Sequence, residues 1–168
     1  MTARLLEIYL SDHLAAATAG VALARRSARN NAGNATGDFL QRLATEIAED
    51  RRTLQRVALD LGVSGSRPKE VVASVAEKLG RLKPNGRMRG YSPLSRVLEL
   101  EALSVGIAGK LALWQSLQAP PGLGRRLNDA NLDELIERAR RQRAQVEEHR
   151  IAAARTAFAG EATSGAIA

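Results

Sequence analysis

Both histidines of the chain, His13 and His149, fall at positions that helical periodicity turns inward. So do three carboxylates, Glu46, Asp50 and Glu101. A buried charge is costly unless it is paired or bound to a metal, so ionisable groups on converging faces are expected to meet. Three arrangements satisfy that requirement. In the first, His13 pairs with Asp50 and His149 with Glu101 in a structural polar network. In the second, the five side chains surround an ion, and mixed imidazole and carboxylate ligands suit Fe, Mn or Zn. In the third, one or more of the five faces solvent, because helix boundaries read from sequence drift by a few residues.

The rest of the sequence offers little further chemistry. The chain has no cysteine, which excludes a disulfide framework, a thiolate metal site and a cysteine nucleophile. A Glu–His pair would serve general acid–base catalysis, but no serine or threonine stands at a recognisable nucleophile elbow or triad spacing. Gly122-Leu123-Gly124 lacks the third glycine and the preceding strand of a dinucleotide loop, and Lys69 follows Pro68 where a phosphate loop requires glycine. No catalytic residue is assigned, no cofactor is required, and the chain reads as non-enzymatic.

The elements that must position these groups are helices. Apolar spacing of three and four residues dominates, and no alternating strand pattern persists. Four long helices are expected, over residues 2–30, 38–61, 92–119 and about 128–158. The second opens at Asp38 with Gln41 as a capping box, and Gly62 stops it. Ser92-Pro93 opens the third as N-cap and first-turn proline, and Pro120-Pro121-Gly122 closes it. Asn131 and Glu134 make a second capping box. A connection over residues 63–91, with a short helix at 68–79, joins the second and third helices. The second helix is expected to turn Leu40, Leu43, Ile47, Asp50, Leu54, Val57 and Leu61 inward, and the third Leu94, Val97, Leu98, Glu101, Val105, Ala108, Leu111 and Gln115. The last turns in Leu132, Leu135, Ile136, Ala139, Val146, His149 and Ala153.

The connections are thus short, long, short, which predicts an all-α four-helix bundle of two antiparallel hairpins joined by a long crossover. One domain spans residues 1–158, with a frayed tail at 159–168. Counting from turns near residues 33 and 123 places His13, Asp50, Glu101 and His149 within about one helical turn of a common level.

This arrangement resembles a distant, bacterial branch of the ferritin-like four-helix bundle superfamily. The likeness covers residues 2 to about 158 and rests on two hairpins, the crossover and the inward carboxylates and histidines. The superfamily's di-iron centre uses Glu-x-x-His on two helices. Here Val146 stands three residues before His149, Leu10 stands three before His13, and Glu46-Ile47-Ala48-Glu49 has Glu where His belongs. Glu101 alone fits a family ligand position. The resemblance therefore implies the fold and a candidate Fe, Mn or Zn site without the family's ferroxidase or oxygenase motifs.

The net charge is +7, carried by 21 arginines and 4 lysines against 18 acids. Residues 63–96 hold nearly all of it, and Arg81, Lys83, Arg87 and Arg89 cluster around Pro84-Asn85-Gly86. A concentrated basic loop suits an anionic partner: an acidic protein surface, nucleic acid or a lipid head group. It equally suits a solvated connection that pairs with Asp60, Glu77 or Glu99. Five aromatics, Tyr91 among them, are too few for a base-stacking surface. The run Arg138, Arg140, Arg141, Arg143 follows four acids and is expected to form a solvated face. The alanine content, 30 residues, suggests close packing, a homodimer through alanine-rich surfaces and a GC-rich bacterial source. The longest apolar run, residues 14–24, is too short to span a bilayer, and no signal peptide is evident, so a cytoplasmic protein without membrane contact is expected. The Asn34-Ala35-Thr36 sequon then carries no glycan.

Overall fold

A computed structural model describes residues 2–63, 91–123, 127 and 130–164. Within them the chain is all-helical, with α1 over Thr2–Asn30, α2 over Ala35–Asp60, α3 over Pro93–Gln118 and α4 over Leu132–Ser164. No described helix is long and apolar enough to cross a membrane. The short helix expected at 68–79 and the basic cluster of Arg81, Lys83, Arg87 and Arg89 lie outside the described residues.

The caps account for most boundaries. Asn34 is the N-cap of α2: its Oδ1 accepts from the amides of Thr36 at 3.0 Å and Gly37 at 3.2 Å. The sequon residue is thus a cap, and Asp38 stands inside the first turn, where its charge favours the positive end of the helix dipole. This moves the start of α2 three residues ahead of the expected Asp38. Ser92 caps α3 through the Ser95 amide at 3.1 Å, with Pro93 behind it, and Asn131 accepts from the Glu134 amide at 3.3 Å. Gly62, at φ +76°, takes the left-handed conformation that ends α2. The last helix runs past Gly160 to Ser164. One glycine costs a helix only about 1 kcal/mol, and Glu161 and Ala162 favour its continuation.

The turn between α1 and α2 is tight. A Cβ on Gly37 would overlap the carbonyl oxygen of Asn31, so backbone meets backbone there and only glycine fits. Further along the same helices Arg51 donates to Thr18, and Gly20 faces Ile47 closely enough that a Cβ there would just touch it. Between α3 and α4 hydrogen bonds join Ser104 to Glu147, Lys110 to Gln142 and Gln118 to Asp133.

The core has two apolar clusters. One gathers Leu10, Leu54, Val57, Leu113, Trp114, Leu117, Leu135 and Ala139 with their neighbours. The other gathers Leu23, Leu40, Leu43, Ile47, Leu100, Leu103, Ile107 and Val146 with theirs. On α2 and α4 a short stretch separates the two sets and holds one buried polar residue, Asp50 and Gln142 respectively, and on α3 the corresponding stretch between Ile107 and Leu113 holds Lys110. The buried face of α2 is the expected one, Leu40, Leu43, Ile47, Asp50, Leu54 and Val57. That of α3 is rotated. Val97, Leu100, Leu103, Ser104, Ile107, Leu113, Trp114 and Leu117 are buried, while Glu101, Leu94 and Val105 are exposed. The helix is apolar nearly all round, so periodicity alone could not fix its facing side.

Candidate functional site: a charged layer across the core

Asp50, 3% exposed, stands on α2 between Ile47 and Leu54. Lys110 on α3, between Ile107 and Leu113, donates from Nζ to Asp50 Oδ2 and to Gln142 Oε1. Gln142, 1% exposed, stands on α4 between Ala139 and Val146. Its amide donates to Glu46 Oε2 at 2.8 Å and reaches Asp50 Oδ2 at 3.4 Å. Arg138, one turn earlier on α4, places Nη2 2.6 Å from Asp50 Oδ1. That contact is ionic, without the alignment of a hydrogen bond. The same guanidinium lies 4.0 Å from Glu49 at the rim.

The layer therefore holds two carboxylates, two cations and one amide from three helices. The fourth helix touches its edge, where Arg51 Nε donates to Thr18 Oγ1 at 3.0 Å. Burial pulls Lys110 below the usual ammonium range, and the adjoining Asp50 carboxylate opposes that shift. Each carboxylate thus faces protein cations or amides from within the bundle, the condition under which buried charge is tolerated.

The sequence-predicted residues divide. Glu46 and Asp50 do meet in this layer. Glu101 is exposed, and the group that feels its charge is Arg150 of α4, not the partly buried His149. His149 lies about 10 Å along α4 from Gln142, seven residues at 1.5 Å each. Its ring stacks on Phe39 with centroids 4.1 Å apart, and Nδ1 is 3.3 Å from Thr36 Oγ1. His13 packs edge-on against Tyr9 at 4.6 Å, and the carboxylate that acts on it is the neighbouring Asp12. Burial lowers the pKa of both rings. The expected pairs His13–Asp50 and His149–Glu101 are thus replaced by Lys110–Asp50–Arg138 and by ring stacking. The levels shifted because Asp50 sits opposite residues 138–142 of α4 and not opposite 149.

The five residues do not fit a metal ion as they stand. Among the described residues no group of three His, Cys, Asp or Glu side chains is placed to hold one. The two carboxylates that do meet have oxygens engaged by Lys110, Arg138 and Gln142. Arg138 alone departs from the expected solvated basic face: Arg140, Arg141 and Arg143 are exposed, and Arg140 pairs with Glu137 at 3.6 Å.

A second polar cluster ties the end of α1 to the start of α3. The amide of buried Asn31 donates to Ser27 O and to Tyr91 Oη, both at 2.8 Å, and its oxygen accepts from Arg96 Nε at 2.6 Å. Tyr91 donates to Glu99 Oε2 at 3.0 Å, and Arg26 Nε reaches Glu99 Oε1 at 3.2 Å. Burial pushes the Tyr91 phenol up to about 12. Glu99 does pair with an arginine, though with one from α1.

Gln142, Lys110 and Arg138 are the layer residues that sequence reasoning missed. Gln142 occupies the inward position between Ala139 and Val146, three residues after one and four before the other, so its place was legible. Lys110 and Arg138 are long cations that reach inward from flanking positions, and periodicity carries no signal for that. No protein-family model, curated protein or solved structure matches the chain, so its function is read from this geometry.

Proposed function

We propose that the chain is a ferritin-like bundle of two antiparallel hairpins that acts without catalysis, as a structural or interaction module held in register by its charged layer. The observation that carries this reading is the placement of Asp50 between Lys110 of α3 and Arg138 of α4, with Gln142 bridging to Glu46. A charge pair across packed helices is a poor source of net stability but a good device for choosing one packing, because a shifted register strands a buried ion. Residue pairing supports the hairpin topology. Partners of rising number on α1 fall in number along α2, and those on α3 fall along α4.

The competing metal-holding role is separated by elemental analysis of untagged protein together with melting curves. The proposal expects less than about 0.1 equivalent of Fe, Mn or Zn and no rise in melting temperature with added metal. Stoichiometric metal, with Asp50 and Glu46 needed for it, would overturn the proposal.

A further inference from the structure

The seam between α1 and α3 does not close. A cavity of about 210 Å³ opens there, floored by α2. Its mouth is bordered by Ala16, Gly106 and the 68% exposed Val105, and small residues on both helices keep it open. Its walls differ from end to end. Leu23, Ile47, Leu103 and Ile107 line one end, and all four are buried. His13, Arg51, Lys110 and Trp114 line the other, beside Asp50. The hydrogen bond from Arg51 to Thr18 and the facing of Gly20 and Ile47 set this polarity, since they place the higher-numbered part of α1 beside the lower-numbered part of α2.

The polar end is rich in donors. Trp114 is fully buried and its indole N–H has no hydrogen-bond partner, which is costly unless something accepts it. Lys110 spends two of three N–H bonds on Asp50 and Gln142. The charged groups on the wall are Asp50, Arg51 and Lys110, one negative and two positive, and His13 stays neutral near pH 7 because burial lowers its pKa. An aliphatic cavity of about 150 Å³ is enough to hold benzene, so 210 Å³ suits roughly eight to ten heavy atoms.

We infer that this cavity binds an amphipathic monocarboxylate of about eight carbons, its chain between Leu23, Ile47, Leu103 and Ile107 and its carboxylate at the Arg51, Lys110 and Trp114 end. Recognition follows from the apolar walls for the chain and from surplus positive charge and unused donors for the head. The site adds a ligand to the bundle described above and does not depend on whether the charged layer sets its register.

Trp114 is the chain's single tryptophan, so its emission reports on the cavity directly. The test is a fluorescence titration of the full chain with octanoate, octan-1-ol and octylamine, each below its aggregation limit. Octanoate is expected to give a saturable change with a Kd between about 10 μM and 1 mM. Octan-1-ol should bind at least fivefold more weakly, and octylamine should not compete. Gly106→Leu fills the mouth, and a Cβ there meets nothing within 4 Å, so the variant should fold and lose octanoate at least tenfold. Arg51→Gln should weaken octanoate at least fivefold and leave octan-1-ol unchanged. No saturable change with octanoate, tighter binding of the amine or alcohol, or octanoate binding untouched by Gly106→Leu would each overturn the inference. So would a dimeric wild-type chain that Gly106→Leu makes monomeric with no octanoate response, because the groove would then be an interface between copies.

Discussion

Removing Lys110 tests the charged layer where its geometry is least forgiving. Its side chain is 14% exposed and its partner Asp50 3%, so Lys110→Met leaves a carboxylate in the core. Breaking a buried pair from one side costs about 3–5 kcal/mol. Arg138 still lies 2.6 Å from the other Asp50 oxygen and keeps part of the compensation. The expected loss is therefore about 2–3 kcal/mol, at or just below the lower edge of that range. Asp50→Leu strands the Lys110 ammonium against Gln142 and should cost a similar amount, about 2–4 kcal/mol. The double variant removes both charges, and Arg138 can turn to Glu49, which already lies 4.0 Å away. Its stability should return to within about 1 kcal/mol of the parent, a coupling energy of at least about 3 kcal/mol. Urea denaturation measures this: with a slope near 2 kcal/mol per molar, Lys110→Met moves the midpoint by about 1–1.5 M, Asp50→Leu by about 1–2 M and the double by at most about 0.5 M. Additive losses, with coupling below about 0.5 kcal/mol, would refute the pairing of Lys110 with Asp50 as the layer's organising contact.

Other consequences follow from particular contacts. Gly37→Ala drives a Cβ into the Asn31 carbonyl and should cost about 2–3 kcal/mol by the same denaturation assay, because backbone must move to admit it. Asn31→Ala strips partners from Ser27 O, Tyr91 and Arg96 and should cost about 2 kcal/mol, with the loss largely shared by Tyr91→Phe in a double-mutant cycle. Glu101→Gln should change stability by less than about 0.5 kcal/mol, since the side chain is exposed. Both histidines titrate below their ordinary 6.5 in the folded chain, so the unfolded chain takes up protons first as pH falls through that value. Melting temperature should therefore decline between about pH 7 and 5.5, and less steeply in His13→Gln/His149→Gln. Tyr91 acts in the opposite direction: raised to about 12, it should make stability fall above the ordinary phenol value of 10, an effect lost in Tyr91→Phe.

The parts of this fold that could be read from the sequence are those where polarity alternates. Helix α2 has a polar side and an apolar side, and so Leu40 through Val57, Asp50 included, fell on the expected face. The caps at Ser92 and Asn131 and the stop at Gly62 were equally legible, because each side chain or φ value has one local job. Helix α3 was not, because Leu94, Leu98 and Val105 are as apolar as the Val97, Leu100 and Leu103 that are buried. The expected face came out rotated, and Glu101 was carried inward with it. The site failed for a related reason. Inward chemistry was sought among histidines and acids, whereas the cations that answer Asp50 are Lys110 and Arg138, whose long stems let a flanking position serve the core. His13 and His149 face the interior only in part, and aromatic rings were the partners they found.

The most direct measurement of the central claim replaces the whole layer at once. Asp50→Leu, Lys110→Met, Arg138→Leu and Gln142→Leu would turn the charged layer into a continuous apolar core that joins the two clusters. If the layer selects one helix register, the fourfold variant should be at least as stable as the parent in urea yet show more than one set of amide resonances, or broadened ones, in its nitrogen–proton correlation spectrum. A single sharp set of resonances with the parent's long-range contacts intact would contradict the account, since the register would then be fixed without the charges.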